Sequence, residues 1–323
     1  MTTAARFLVT AGLIWMLARR IDFAAALATI ARASAMLFLA ALGALVLANL
    51  AVGWRWHRIL RGFATSPGAA VLTRLVFVGL FFNNLLPTGV GGDAVRAWRC
   101  RRLGISLGTA VKSILLDRAC GYFVLVALYA ASLPGLLAVL PGRAARVSTT
   151  LLFAVAALAL AALFAADRLP WPLRRLRLAA PLAELAREAR RLSLEPRRSP
   201  MILGLSAVSI GLSILAFKLV GDAVGVHRSV AVWAMVMPPV SFVQLVPVSL
   251  AGWGVREAAL VVALGAFGVA PEPALAASVM MGLALIATGL PGGLIWLLGW
   301  DVAAGRHPRA AGRPGHTARE PTD

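Results

Sequence analysis

Asp93, Arg96, Asp117, Arg118, Arg256 and Glu257 are acids and bases set within otherwise apolar sequence. A charge at the centre of a bilayer costs roughly 2.5–3.5 kcal/mol on insertion scales, so such residues pair with one another or mark a polar path. The chemistry they offer is recognition, because the planar fork of arginine donates two parallel hydrogen bonds to a phosphate or carboxylate. Asp93, Asp117 and Glu257 also suit acid–base work on a lipid headgroup, but neither a nucleophile–base pair nor a metal-binding set accompanies them. His57, His227, His307 and His316 are scattered, and Cys100 and Cys120 lack metal spacing. No cofactor, no metal and no catalysis are expected. Two readings of the charges stand side by side. Asp93–Arg96 is an i,i+3 pair that can simply brace a helix start, and Asp117–Arg118 can lock two helices together. Taken together, the same residues can line a groove for a lipid headgroup.

Two of these arginines end the same pattern. FFNNLLPTGVGGDAVR (81–96) and SFVQLVPVSLAGWGVR (241–256) align without a gap at an offset of 160 (247 − 87). Phe82 matches Phe242, Asn84 matches Gln244, Leu85 matches Leu245 and Pro87 matches Pro247. Gly92, Val95 and Arg96 match Gly252, Val255 and Arg256. Each copy ends an apolar run with an amide, a proline, glycines and an arginine. That composition interrupts a helix and leaves backbone groups free beside a cation. Transporters built from internal repeats put substrate sites at such corresponding interruptions, so Asn84 and Gln244 join the candidate substrate-binding residues. Gly-Val-Gly-Gly at 89–92 lacks the Lys-Ser/Thr ending of a nucleotide loop.

The elements that must carry these residues are membrane helices. The chain has 323 residues, 60% of them hydrophobic and 14% charged, with a mean hydropathy of +0.84. Only helices or closed barrels satisfy the backbone in lipid, and the apolar runs are continuous rather than alternating. The runs are approximately 5–18, 34–53, 71–87, 110–133, 147–166, 201–220, 231–251, 255–269 and 274–300. The expected fold is all-α and polytopic, with about 6–9 membrane helices. The net charge of +19 sits at the ends of apolar runs and in one long loop. There it sets topology and meets anionic headgroups rather than nucleic acid.

Arginine placement orients the chain. The linker 167–200 carries Arg168, Arg174, Arg175, Arg177, Arg187, Arg190, Arg191, Arg197 and Arg198, and the tail carries Arg306, Arg309, Arg313 and Arg319. The positive-inside rule makes both cytoplasmic. The clusters at 54–58 and 96–102 share that side if 71–87 enters and returns as a re-entrant hairpin; a full span remains open, and the 255–269 run is apolar enough to cross. An integral membrane domain over 1–302 then divides into half-repeats at about 1–140 and 145–300 of opposite topology, followed by a disordered basic tail, 303–323. Downstream of the repeat, Gly104, Ala110 and Val111 align with Gly268, Ala274 and Leu275 at an offset of 164. Leu182, Leu185, Ala189 and Leu192 share one helical face, which predicts an amphipathic helix on the inner leaflet. Trp54, Trp56 and Trp300 read as interface anchors.

NNLLPTGVGGDAVRAWRCRRLG with AVKSILLDRACGYFVLV, and later VPVSLAGWGVREAALVVALGAFGV, resemble the transmembrane, flippase-like domain of lysylphosphatidylglycerol synthases. The resemblance runs from the first helix to about Leu298. It implies a lipid-handling domain in stand-alone form, since no soluble aminoacyl-transferase domain follows, and lysyl transfer is not expected. On the matching positions it highlights Asp93, Arg96, Asp117, Arg118, Arg256 and Glu257. The expected function is translocation of a polar or anionic lipid, a phospholipid or an isoprenoid- or hopanoid-related one, across a bacterial-type inner membrane. The alternatives are a non-catalytic partner that scaffolds a lipid- or glycolipid-synthesis enzyme, and a membrane enzyme acting on headgroups. Expected partners are membrane lipids and, in the scaffolding case, that enzyme.

Overall fold

The computed structural model describes residues 22–63, 67–86, 91–168, 179–195, 198–245 and 254–300. Pro87, Pro247, Gly252, the first apolar run and the basic tail lie outside the described residues. Among those described, eleven α-helices follow one another without a strand: α1 (Phe23–Ala31), α2 (Ala35–Leu60), α3 (Ala69–Leu85), α4 (Gly91–Arg102), α5 (Leu107–Val139), α6 (Gly142–Ala165), α7 (Ala179–Leu194), α8 (Ser199–Ala223), α9 (Val230–Gln244), α10 (Val255–Gly265) and α11 (Pro271–Leu297). The protein is an all-α polytopic membrane protein. Five helices, α2, α5, α6, α8 and α11, are long and apolar enough to cross a bilayer.

The four helices that flank the repeated motif are shorter. α3 and α4 have 17 and 12 residues, and α9 and α10 have 15 and 11. At 1.5 Å per residue these are roughly 26, 18, 23 and 17 Å long, against a hydrocarbon core of about 30 Å. The 255–269 run, expected to be apolar enough to cross, forms only the short α10 and cannot span by itself. Each pair, α3 with α4 and α9 with α10, packs arm against arm.

Packing partners are exchanged in a regular way. α2 packs on α8; α3 packs on α11 while α9 packs on α5; α1 packs on α11 while α7 packs on α5. Every such contact recurs when a helix in the set α1–α5 is replaced by the helix six places later. α6 stands between the sets with no buried residue. This exchange is what a pseudo-twofold relation generates. The repeat partners Phe82 and Phe242 obey it: Phe82 packs edge-on to Trp296 of α11 at 4.9 Å, and Phe242 stacks on Tyr129 of α5 at 6.1 Å.

Glycine sets how closely the helices approach. A Cβ on Gly292 of α11 would fall 1.9 Å from the Phe77 carbonyl oxygen of α3, and one on Gly53 of α2 would fall 2.3 Å from Thr73 Oγ1. In lipid, where apolar area gives helices no reason to associate, such backbone contact supplies the attraction. α7 differs from expectation. Its face is amphipathic as predicted, but Leu185 and Ala189 pack on Ile59, Leu116 and Ile202 of the bundle rather than on headgroups. Lys112–Glu184 and Arg190–Asp167 ion pairs tie it down at either side.

Candidate functional site

Asn83 and Gly92 build the turn that carries the first charges. Asn83 Oδ1 accepts the Gly92 N–H at 2.8 Å, capping the start of α4. A Cβ on Gly92 would meet the Gly79 carbonyl oxygen at 1.9 Å, so only glycine lets α4 lie this close to α3. The first turns of α4 then present Asp93 and Arg96 to α5, and Asp117 and Arg118 of α5 face them.

The result is a chain of alternating charge. Arg55 Nε donates to Asp117 Oδ1 at 2.7 Å; Asp117 Oδ2 lies 3.9 Å from Arg96 Nη2. Arg96 Nη1 donates to Asp93 Oδ1 at 3.1 Å, and Asp93 Oδ2 accepts from Arg118 Nε at 3.1 Å and lies 3.0 Å from its Nη2. Arg55 also reaches the second helix set, donating through Nη1 to Ser206 Oγ of α8 at 3.0 Å. The Arg96 guanidinium carbon lies over the Trp56 ring, 4.0 Å from its centroid, and Trp56 donates to Ser113 Oγ at 3.0 Å. Three guanidinium groups against two carboxylates leave one excess positive charge (3 − 2). Asp117 and Arg96 are enclosed, with side chains 2% and 5% exposed, whereas Arg118 is 42% exposed. Arg96 Nε and Nη2 have no hydrogen-bond partner among the described residues.

The exposed end of this chain opens into a cavity of about 310 Å³. Its polar lining is Arg55 of α2, Arg118 and Tyr122 of α5, Ser209 of α8, and Ser241 and Gln244 of α9. The cavity therefore lies in the seam between α5 and α9, with charges from one helix set and amide and hydroxyl groups from the other. Its size is at the small end of the range usual for ligand pockets.

The predicted residues divide into three groups. Asp93, Arg96, Asp117 and Arg118 come together in one network, and Gln244 lines the same cavity as Arg118. Asn84 is elsewhere: its Nδ2 donates to the Leu285 carbonyl of α11 at 3.0 Å, joining the first hairpin to the other half. Arg256 and Glu257 form a separate, enclosed pair at the start of α10, each side chain 6% exposed, with Nη2 to Oε1 at 2.7 Å. Ser278 of α11 donates to the same carboxylate oxygen at 3.2 Å. Glu257 Oε2 accepts the Gly254 N–H at 2.6 Å, and Gly254 has φ +84°, a conformation that favours glycine. That pair caps α10 and does not line the cavity.

Sequence reasoning missed Arg55, Ser206 and the role of Trp56. The cluster Trp54-Arg55-Trp56 reads as an interfacial basic patch, yet Trp56 is fully buried and Arg55 nearly so. The available signal was the helical phase: Arg55 lies within a continuous 26-residue helix, four residues after Ala51 on the face that packs inward.

Residues 3–293 match the family described as the lysylphosphatidylglycerol synthase TM region. No curated protein matches the chain. The match covers almost every described helix and both signatures that carry the charges. The chain thus belongs to the family of the lysylphosphatidylglycerol synthase transmembrane region, a membrane-embedded, lipid-related domain.

Proposed function

We propose that this protein moves a polar or anionic lipid between the leaflets of a bacterial-type inner membrane and makes or breaks no covalent bond in doing so. The observation that carries the reading is the cavity in the α5–α9 seam, whose lining brings Arg55 and Arg118 together with Ser241 and Gln244 from the other helix set. A headgroup phosphate held by the Arg118 fork sits beside Asp93, which Arg118 shares with the enclosed Arg96, while its acyl chains stay in the bilayer. The half-repeats at about 1–140 and 145–300 act as inverted halves. Rocking one against the other closes this seam and opens the equivalent one, as in other inverted-repeat transporters. The Arg-rich linker faces the cytoplasm under the positive-inside rule.

The test is a reconstituted liposome carrying a labelled lipid, scored by how fast the label becomes accessible from the other side. Wild-type protein is expected to raise that rate well above protein-free liposomes. Arg96→Ala and Arg96→Lys are both expected to slow it while the protein remains folded, since a point charge does not replace the fork over Trp56. Equal rates for wild type, both variants and protein-free liposomes across several phospholipids would overturn translocation in favour of a scaffolding role beside a lipid-synthesis enzyme.

A further inference from the structure

α7 lies across the base of the junction between the two helix sets. Its Leu185 and Ala189 pack in one cluster with Ile59 of α2, Leu116 of α5 and Ile202 of α8, so the helix touches both sets at once. Each of those three contacts sits within a turn of the charged junction. Ile59 is one turn beyond Arg55 on α2, Leu116 precedes Asp117 on α5, and the Ile202 carbonyl accepts from Ser206 Oγ at 3.0 Å. Arg55 in turn donates to both Asp117 and Ser206. Moving one set against the other draws Ile202 away from Ile59 and Leu116, and α7 cannot stay seated on all three.

The seat is shallow. Among the α7 side chains described, Leu185, Ala186 and Ala189 are buried, while Leu182 on the same face is 42% exposed. Two ion pairs hold the helix down, Lys112–Glu184 and Arg190–Asp167. Both members of the first are partly exposed, at 31% and 48%, so phosphates from outside can compete for Lys112. Arg187 and Arg191, one turn apart, are exposed on the face opposite Leu185. The linker 167–200 as a whole carries nine arginines against four carboxylates, which draws it towards an anionic leaflet. Apolar side chains along one face and arginines along the other are what an interfacial helix offers to such a surface. α7 therefore fits two seats, the bundle and the bilayer surface.

We propose that α7 is a strap that holds the two helix sets in the conformation described here, and that the anionic surface of the surrounding inner leaflet releases it. Lipid phosphates take Lys112 and Arg190 from their carboxylates, and α7 moves its apolar face from Ile59, Leu116 and Ile202 to the bilayer surface. The two sets are then free to rock about the Arg55–Ser206 contact. The leaflet acts as a switch, at a place separate from the cavity in the α5–α9 seam. Faster flux as the consequence rests on the translocation reading; release of α7 does not.

The experiment places spin labels on Arg61→Cys at the end of α2 and Ala183→Cys on α7, in the full chain with Cys100→Ala and Cys120→Ala. Pulsed EPR then reads the distance between them in phosphatidylcholine vesicles with and without phosphatidylserine. One distance is expected in phosphatidylcholine, and phosphatidylserine is expected to add a longer one. Glu184→Gln leaves the buried contacts of α7 in place. It is expected to raise the released-to-docked ratio about threefold without phosphatidylserine, the scale of a half-exposed ion pair. Made in the otherwise native chain, Glu184→Gln is expected to raise lipid flux in the same vesicles by a similar factor. A single unchanged distance in every sample would overturn the strap and leave translocation standing. Equal release with and without phosphatidylserine would overturn the anionic leaflet as its cause. Release without faster flux in a protein that moves lipid would overturn the gating role. Release in vesicles that show no flux at all would overturn translocation and leave the exchange of α7 between bundle and leaflet standing.

Discussion

The α3–α11 seam and the α5–α9 seam are built to one plan and finished differently. In the first, Gly289, Gly292 and Gly293 of α11 bring its backbone against Phe77, Phe81 and Asn84 of α3, and the Asn84 amide bridges to Leu285. At the equivalent turn of α5, an offset of 164 (271 − 107) puts Leu125, Leu128 and Tyr129 where α11 has those glycines. Backbones there cannot close to the same distance. Gln244, the repeat partner of Asn84, bonds within its own helix, and a cavity remains. The charges follow the same division. The pair at the start of α10 is neutral, enclosed and engaged in capping, while the network beside the open seam carries an excess charge. The two matching stretches of sequence thus flank two seams, and in this conformation side-chain size decides which is packed shut and which holds a cavity.

The largest expected effect comes from the floor of the open seam. Asp117→Ala leaves Arg55 and Arg96 without their shared carboxylate, and stranding buried charge costs about 3–5 kcal/mol. Thermal unfolding in detergent checks this; an unchanged midpoint would mean that the network does not hold α2, α4 and α5 together.

Shape comes next. Gly292→Ala drives a Cβ into the Phe77 backbone at 1.9 Å and is expected to cost about 3 kcal/mol by overpacking. Gly121→Ala on the cavity side, whose Cβ would come no closer than 3.6 Å to Arg55 Nη1, should stay within about 1 kcal/mol of wild type. Equal losses in the same unfolding experiment would erase the distinction between zipped and open seams.

Amide replacement sharpens the contrast further. Asn84→Leu abandons the Leu285 carbonyl and should cost about 1–3 kcal/mol. Gln244→Leu removes a bond to a carbonyl of its own helix and should leave the unfolding midpoint within about 0.5 kcal/mol. If the Gln244 change were the more damaging, the cavity wall would be a structural contact.

Much of this was legible in sequence, for physical reasons. The apolar runs announce helices because nothing else satisfies the backbone in lipid, and intramembrane Asp93, Arg96, Asp117 and Arg118 announce one another because each is too costly alone. The repeat pointed to both hairpins, and it paired Asn84 with Gln244 and Arg96 with Arg256 as though they shared roles. It could not reveal that Arg256 turns to a neighbouring Glu257, because adjacent helical residues ordinarily face apart and the pairing depends on Glu257 folding back over Gly254. Arg55 was hidden by its neighbours: in Trp54-Arg55-Trp56, Trp54 is exposed while Arg55 and Trp56 are both buried, and only the packing of α2 on α8 assigns which is which. For α7 the amphipathic period was plain, but a period does not say whether lipid or protein covers the apolar face.

Arg118→Gln combines a small effect on stability with the most direct test of the central claim, that the open seam handles the headgroup. Half-exposed, its pair with Asp93 is worth no more than about 1 kcal/mol, so the variant should fold and reconstitute as wild type does. The measurement is the initial rate of labelled phosphatidylglycerol translocation per folded molecule in liposomes, with Glu257→Gln prepared alongside. The account predicts Arg118→Gln at the protein-free rate and Glu257→Gln near the wild-type rate in its folded fraction. A wild-type rate in Arg118→Gln, or equal loss in both variants, would contradict it.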